Sequence, residues 1–218
     1  MNLRSALLLA LLAGFTSLGA AEAKIEETAR RLFRSHADAV VTVRATVALT
    51  MTAGDTPSQS RDQSVEELGT VVGDKGLVMI SASSIDPATA MDGRTVNMRG
   101  APVKLAVTSE VKEARIILAD GTEVPATVVF KDRDLNLAFL APEPGAEEAK
   151  EAKFLPIDTS AEQALEVLDE VVILSRLDKS MGRVSAVECD FVRAVVTKPR
   201  RFLSIHLAAT GLPVFGAS

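Results

Sequence analysis

Gly69-Thr70-Val71-Val72-Gly73-Asp74-Lys75-Gly76-Leu77-Val78-Met79-Ile80-Ser81-Ala82-Ser83 is the stretch on which the fold turns. Two runs rich in β-branched and aliphatic residues flank Gly73-Asp74-Lys75-Gly76. Asp and Gly tolerate the positive φ angles of tight hairpins, so Val71 to Ala82 reads as a β-hairpin. A second turn of the same kind, Ala119-Asp120-Gly121-Thr122, joins Ala114–Leu118 to Val124–Phe130, and Leu135 to Leu140 follows as another strand. Upstream, Val40 to Met51 alternates like a strand. Thr52 to Ser64, with its Gly, Asp, Pro, Ser and Gln, reads as a polar exposed loop.

Helix is sparse. Ile25, Ala29, Leu32 and Phe33 recur at helical spacing behind Glu26-Glu27, which predicts a short amphipathic helix over Ile25 to Ala37. Glu143 to Lys153 is rich in Glu, Ala, Pro, Gly and Lys and reads as a solvated linker. Beyond it, Val171–Leu174 has the composition of a buried strand, Gly182–Val187 opens another, and Ala194–Thr197 and Phe202–Ala208 give two more. Many short strands with regular turn signals argue for a barrel or sandwich. The expected division is therefore 1–23 leader, 24–142 helix and first barrel, 143–153 linker and 154–218 second barrel.

The leader rests on Arg4, the apolar run Ala6 to Phe15, and the small residues Gly19-Ala20-Ala21-Glu22-Ala23 before Lys24, the order of a secretory signal peptide. The run is shorter than the ~20 residues that span a bilayer, so no stable membrane span is expected after cleavage, and the mature protein is expected to be secreted or periplasmic. With 24 Lys+Arg against 29 Asp+Glu the net charge is −5, and no basic stripe interleaved with aromatics offers nucleic acid a surface. Cys189 is the single cysteine, so the domain must hold together without an internal disulfide. Its acidic neighbours Glu188 and Asp190 oppose thiolate formation, which argues for a structural residue rather than a nucleophile. The two histidines, His36 and His206, and one cysteine do not make the ligand spacing of a zinc site, and no phosphate loop is present. No metal or cofactor is expected.

Three segments carry a family resemblance. Gly69–Ser83, the Asp120–Val129 hairpin continuing through Asp132 to Leu140, and Thr210-Gly211-Leu212-Pro213-Val214-Phe215 resemble, in order, the segments that deliver base, orienting acid and nucleophile in trypsin-like serine proteases. Leu155–Asp158, Asp169–Leu174 and Gly182–Ala186 follow like strands of the bacterial high-temperature-requirement type, which has no disulfides. The resemblance runs from about Ala39 to Phe215. It implies an all-β fold of two six-stranded-type antiparallel barrels with a short N-terminal helix. Because the sequence stops at Phe215–Ser218, the second barrel is expected to be short of strands, its open edge pairing with a strand-donating partner or a second copy.

The same alignment puts Ser83 at the base position, Asn136 at the orienting position and Thr210 at the nucleophile. A serine hydroxyl cannot act as general base near neutral pH, and an asparagine carries no charge to steady an imidazolium. Ala208 and Leu212 stand where the family has glycines that shape the oxyanion loop. The resemblance therefore implies a pseudoprotease that binds a peptide or protein by strand addition, with Thr210, Gly211, Leu212 and His206 as groove candidates. Two rival readings are a residual serine/threonine-type peptidase using Thr210 with His206, and a structural envelope protein.

Overall fold

The computed structural model describes residues 24–54, 56–98, 100–160, 163–205 and 210–217. The expected leader, His206 and Ala208 lie outside the described residues.

Chain entry is helical, as the periodicity predicts. Helix α1 (24–36) runs into a single 3-10 turn at Ala37–Ala39. It buries Ala29 and packs Ile25, Leu32 and Phe33 against Val40, Val172 and Leu174, while Glu26 and Arg30 pair across one turn of its outer face at 2.7 Å.

Seven strands follow: β1 (Val40–Ala53), β2 (Gln59–Gly73), β3 (Leu77–Ser81), β4 (Thr95–Met98), β5 (Ala101–Ile117), β6 (Glu123–Asp132) and β7 (Leu137–Pro142). Six of them lie in the order β1-β2-β3-β7-β6-β5, and β1 also pairs with β5, so the sheet closes on itself as an antiparallel barrel. Both hairpin turns read from the sequence are present. Gly76 N donates to Gly73 O at 2.9 Å, and Asp120 Oδ1 accepts from Thr122 N at 2.9 Å, a local bond that also lowers the Asp120 pKa. The interior is apolar throughout: Val41, Val43 and Val47 of β1 meet Val71, Val78, Ile80, Ile116, Val124 and Leu140.

Three departures from the sequence reading concern this half. Residues 59–64, expected in a loop, are the outer part of β2, paired through Met51↔Gln59. They are polar because this end of the strand, together with the ends of β1 and β5, extends past the barrel's core with its side chains in solvent. Two single-turn helices, α2 (Ala82–Ile85) and α3 (Ala88–Met91), and most of β5 were not anticipated. Glu143–Lys153 holds a short helix, α4 (Glu147–Glu151); Ala149, Ala152 and Phe154 rest on the barrel core.

The second half is built differently. Strands β8 (Glu170–Arg176), β9 (Ser185–Phe191) and β12 (Val214–Gly216) form a sheet in the order β12-β8-β9, and β10 (Ala194–Val196) pairs with β11 (Phe202–Ser204) as a separate ribbon. Among the described residues this half contains no closed barrel, so of the two expected barrels one is observed. Its central strand is still a core strand, with Val171, Val172, Ile173 and Leu174 buried. Arg176 ties it to the barrel. Its guanidinium is buried, donates to Val40 O and to Arg183 O (3.1 Å), and stands 3.8 Å from Asp38. Burial pushes its pKa down and Asp38 opposes the shift. Among the described residues no helix is long and apolar enough to cross a membrane.

Candidate functional site

The hairpin β2–β3 ends on Ser81 and hands the chain to α2, which carries Ser83. The strand β7 begins at Leu137, one residue after Asn136. The sequence reading had started that strand at Leu135; the structure instead turns the chain at Asn136, whose φ of 56° is left-handed. Asparagine is among the few non-glycine residues that reach this region readily. The turn also uses Asp132, whose Oδ1 accepts from Leu135 N at 2.9 Å.

That conformation brings Asn136 onto Ser83, 53 residues earlier in sequence. Asn136 Oδ1 accepts from Ser83 N at 2.9 Å, while its Nδ2 donates to Ser81 Oγ at 3.0 Å and, more weakly, to Ser83 Oγ at 3.4 Å. The two serine hydroxyls lie 2.9 Å apart, and Asn136 O accepts from Ala82 N at 3.0 Å. All three side chains are neutral donor–acceptor groups, and each satisfies the others. Ser81 is buried and Ser83 exposed, so the cluster has one face open to solvent. The adjacent Ser84 hydroxyl donates to Glu67 on β2.

The third position arrives from the far end of the chain. Gly211 is buried with φ of +84°, and a Cβ there would lie 2.9 Å from Ile80 Cα and 3.0 Å from Ser81 N. Only glycine lets this backbone lie on the end of β3. Thr70 Oγ1 fixes it by donating to Gly211 O at 2.7 Å across 141 residues of sequence. Thr210 is therefore exposed beside the strand end that carries Ser81 and leads to Ser83. Leu212 is half-buried and packs with α1 and β8, alongside Phe215, whose ring stacks on His36 at a centroid distance of 5.5 Å. His36, at the end of α1, thus has a ring partner.

Cys189 lies exposed on β9; partial desolvation, then the carboxylates of Glu170 and Glu26, push its thiol pKa up, which keeps it protonated. Among the described residues no group of three or more His, Cys, Asp and Glu side chains could hold a metal ion.

One charged site was missed by sequence reasoning. Asp86, directly after α2, is buried; burial alone would raise its pKa, but the Ser109 hydroxyl at 2.5 Å, then Lys131 at 3.6 Å and Arg133 at 3.4 Å, bring the net shift downward. Its only sequence signal was an aspartate placed between Ile85 and Pro87, too little to reveal partners 23 to 47 residues away.

No protein-family model matches the chain, and no curated protein matches it. Among solved structures, the MamO protease domain from Magnetospirillum magneticum, in its apo form, is similar to it, with 18% identity over 85% of this chain and 82% of that one and a TM-score of 0.48.

Proposed function

We propose that this is an exported, trypsin-like protease homologue that has no hydrolytic activity and works as a peptide- or protein-binding module. The observation that carries the reading is the Ser83–Asn136–Ser81 cluster. The two positions that the family resemblance assigns to base and orienting acid hold a serine and an asparagine, mutually hydrogen-bonded and buttressed by Ser81. A working triad needs a group that takes the nucleophile's proton and a charge that stabilises it afterwards. Neither side chain offers either near neutral pH. The left-handed Asn136 and the close packing of Gly211 on β3 hold the place in shape, which suits recognition rather than turnover. The six-stranded barrel agrees with the family resemblance, and the charged, apolar and small-residue order of residues 1–23 supports export.

The decisive experiment incubates the purified protein with a fluorophosphonate probe and with a peptide that it binds saturably. No adduct on Thr210 and an intact bound peptide are expected. Peptide cleavage that disappears in Thr210→Ala would overturn the reading.

A further inference from the structure

The free edges of two strands face one groove. β12 pairs with β8 on one side, and β11 with β10 on one side. A groove of about 650 Å³ is lined by Val214-Phe215-Gly216 and by Arg201-Phe202-Leu203. Successive side chains on a strand point to opposite faces, so a groove touched by three consecutive residues on each wall runs along the strand edges rather than over a face. Among the described residues, Phe202, Leu203 and Val214–Gly216 make no backbone hydrogen bonds beyond the ladders with β10 and β8. β12 and β11 thus belong to two separate sheets, and both line this one groove.

The lining states the guest's chemistry. Leu165, Leu212 and Phe215 give an apolar wall. At the rim stand two guanidiniums, Arg31 from α1 and Arg201, against one carboxylate, Asp158, which is already held in its own turn by Ser160 N at 2.8 Å. Arg201 directs one donor to Leu165 O at 2.6 Å, and Arg31 makes no ion pair among the described residues. Excess positive charge beside an apolar, unpaired edge selects for an acidic strand and against a basic one.

We propose that this groove binds an extended peptide segment of a partner protein, apolar on one face and carrying carboxylates on the other, which adds to the β12 edge by strand addition with β11 on another wall of the groove. The proposal rests on the binding-module reading and gives it a location and a ligand class. Arg31 and Arg201 meet the guest's carboxylates, while backbone groups of Val214–Gly216 meet its main chain.

The test titrates the full chain with the end-blocked peptide Ser-Val-Glu-Val-Glu-Val-Ser and with its counterpart carrying lysine at both glutamates, following fluorescence anisotropy. Saturable binding of the acidic peptide is expected, at least ~tenfold weaker for the lysine peptide and for Arg31→Glu. Arg31 is exposed on α1, and circular dichroism checks that the variant is folded. Hydrogen exchange must slow at both Phe202–Ser204 and Val214–Gly216 on binding. No binding, equal affinity for the two peptides, or unchanged exchange at these strands overturns the proposal. So does a concentration-dependent dimer that protects both strands without peptide, since the groove then belongs to a second copy. If a peptide binds saturably and uncleaved but protects only the Ser81–Ser83 and Asn136 region, the groove assignment falls while the binding-module reading stands.

Discussion

The first half of this protein closes a sheet on itself; the second half leaves its strands in two pieces. Among the described residues the closed half gathers sixteen buried apolar residues, from Val41 to Leu140, into one large cluster with a small satellite of Leu49, Ala88 and Val107, whereas the second half has only a cluster shared with α1 and a small one around Leu165, Val171 and Val192. Surface tells the same story. Of fourteen exposed large hydrophobic side chains among the described residues, ten lie at or beyond Leu155, including Met181, Val184 and Phe191 along or near the β9 edge. Closure removes edges and lets alternate residues of every strand meet in one interior; an open sheet of similar composition must leave apolar side chains and backbone groups at its margin. The contrast separates a half whose strand edges are paired by closure from one whose margins stay open.

The sharpest way to break that contrast is to compare truncations in the two halves. Leu140, fully buried in the barrel, should cost about 3–4 kcal/mol as Leu140→Ala, read as a shift in the urea unfolding midpoint, while Val187→Ala on the exposed β9 should cost under about 0.5 kcal/mol. Equal losses would mean that the two halves share one stability. A test of the seam between them comes next. Gly211→Ala forces a positive φ on alanine and drives its Cβ onto the backbone of Ile80, so a loss of about 3 kcal/mol is expected. Faster exchange at Val214–Gly216 should accompany it while the barrel amides stay slow.

A smaller effect than at the seam is expected at Asp86, on the barrel side. Its pKa sits below the ordinary 3.8, so the ionised carboxylate is the form the fold favours. That contribution is complete above about pH 4 and is lost as the pH falls through the lowered value. Asp86→Asn should therefore cost about 2 kcal/mol at neutral pH, and the difference from the parent protein should shrink as the solution is acidified below the ordinary 3.8. A difference that is constant across pH would assign the loss to packing alone.

Legibility in the sequence followed this same divide. Turns were the clearest signal: Gly73–Gly76 and Ala119–Thr122 each carry residues that tolerate positive φ, and both hairpins stand where those residues placed them. Positions 59–64 were misread because a strand that leaves the core loses its alternation; Gln59, Ser60, Arg61 and Asp62 are all exposed, so nothing in their pattern distinguishes strand from loop. The juxtaposition of Ser83 with Asn136 came from the family resemblance, whereas the left-handed turn that achieves it left no mark beyond an asparagine between two leucines. Ser81, the third member of that cluster, was invisible because a buried serine at a strand end looks like any other. The groove lined by β11 and β12 could not be read either, since its walls come from residues as far apart in sequence as Arg31 and Val214.

The hydrogen bond from Thr70 to Gly211 joins residues 141 apart, and it can form only on a barrel whose own closure already requires β1 to find β5, with Thr42 opposite Ile117. Contacts this distant in sequence are slow to make, because the entropy of closing the intervening chain must be lost before any contact repays it. The order of events follows. The first barrel can assemble as soon as residues up to Pro142 are available, and it then serves as the template on which Gly211 settles. A nascent chain would thus complete its closed barrel before Thr210 and Gly211 reach their places.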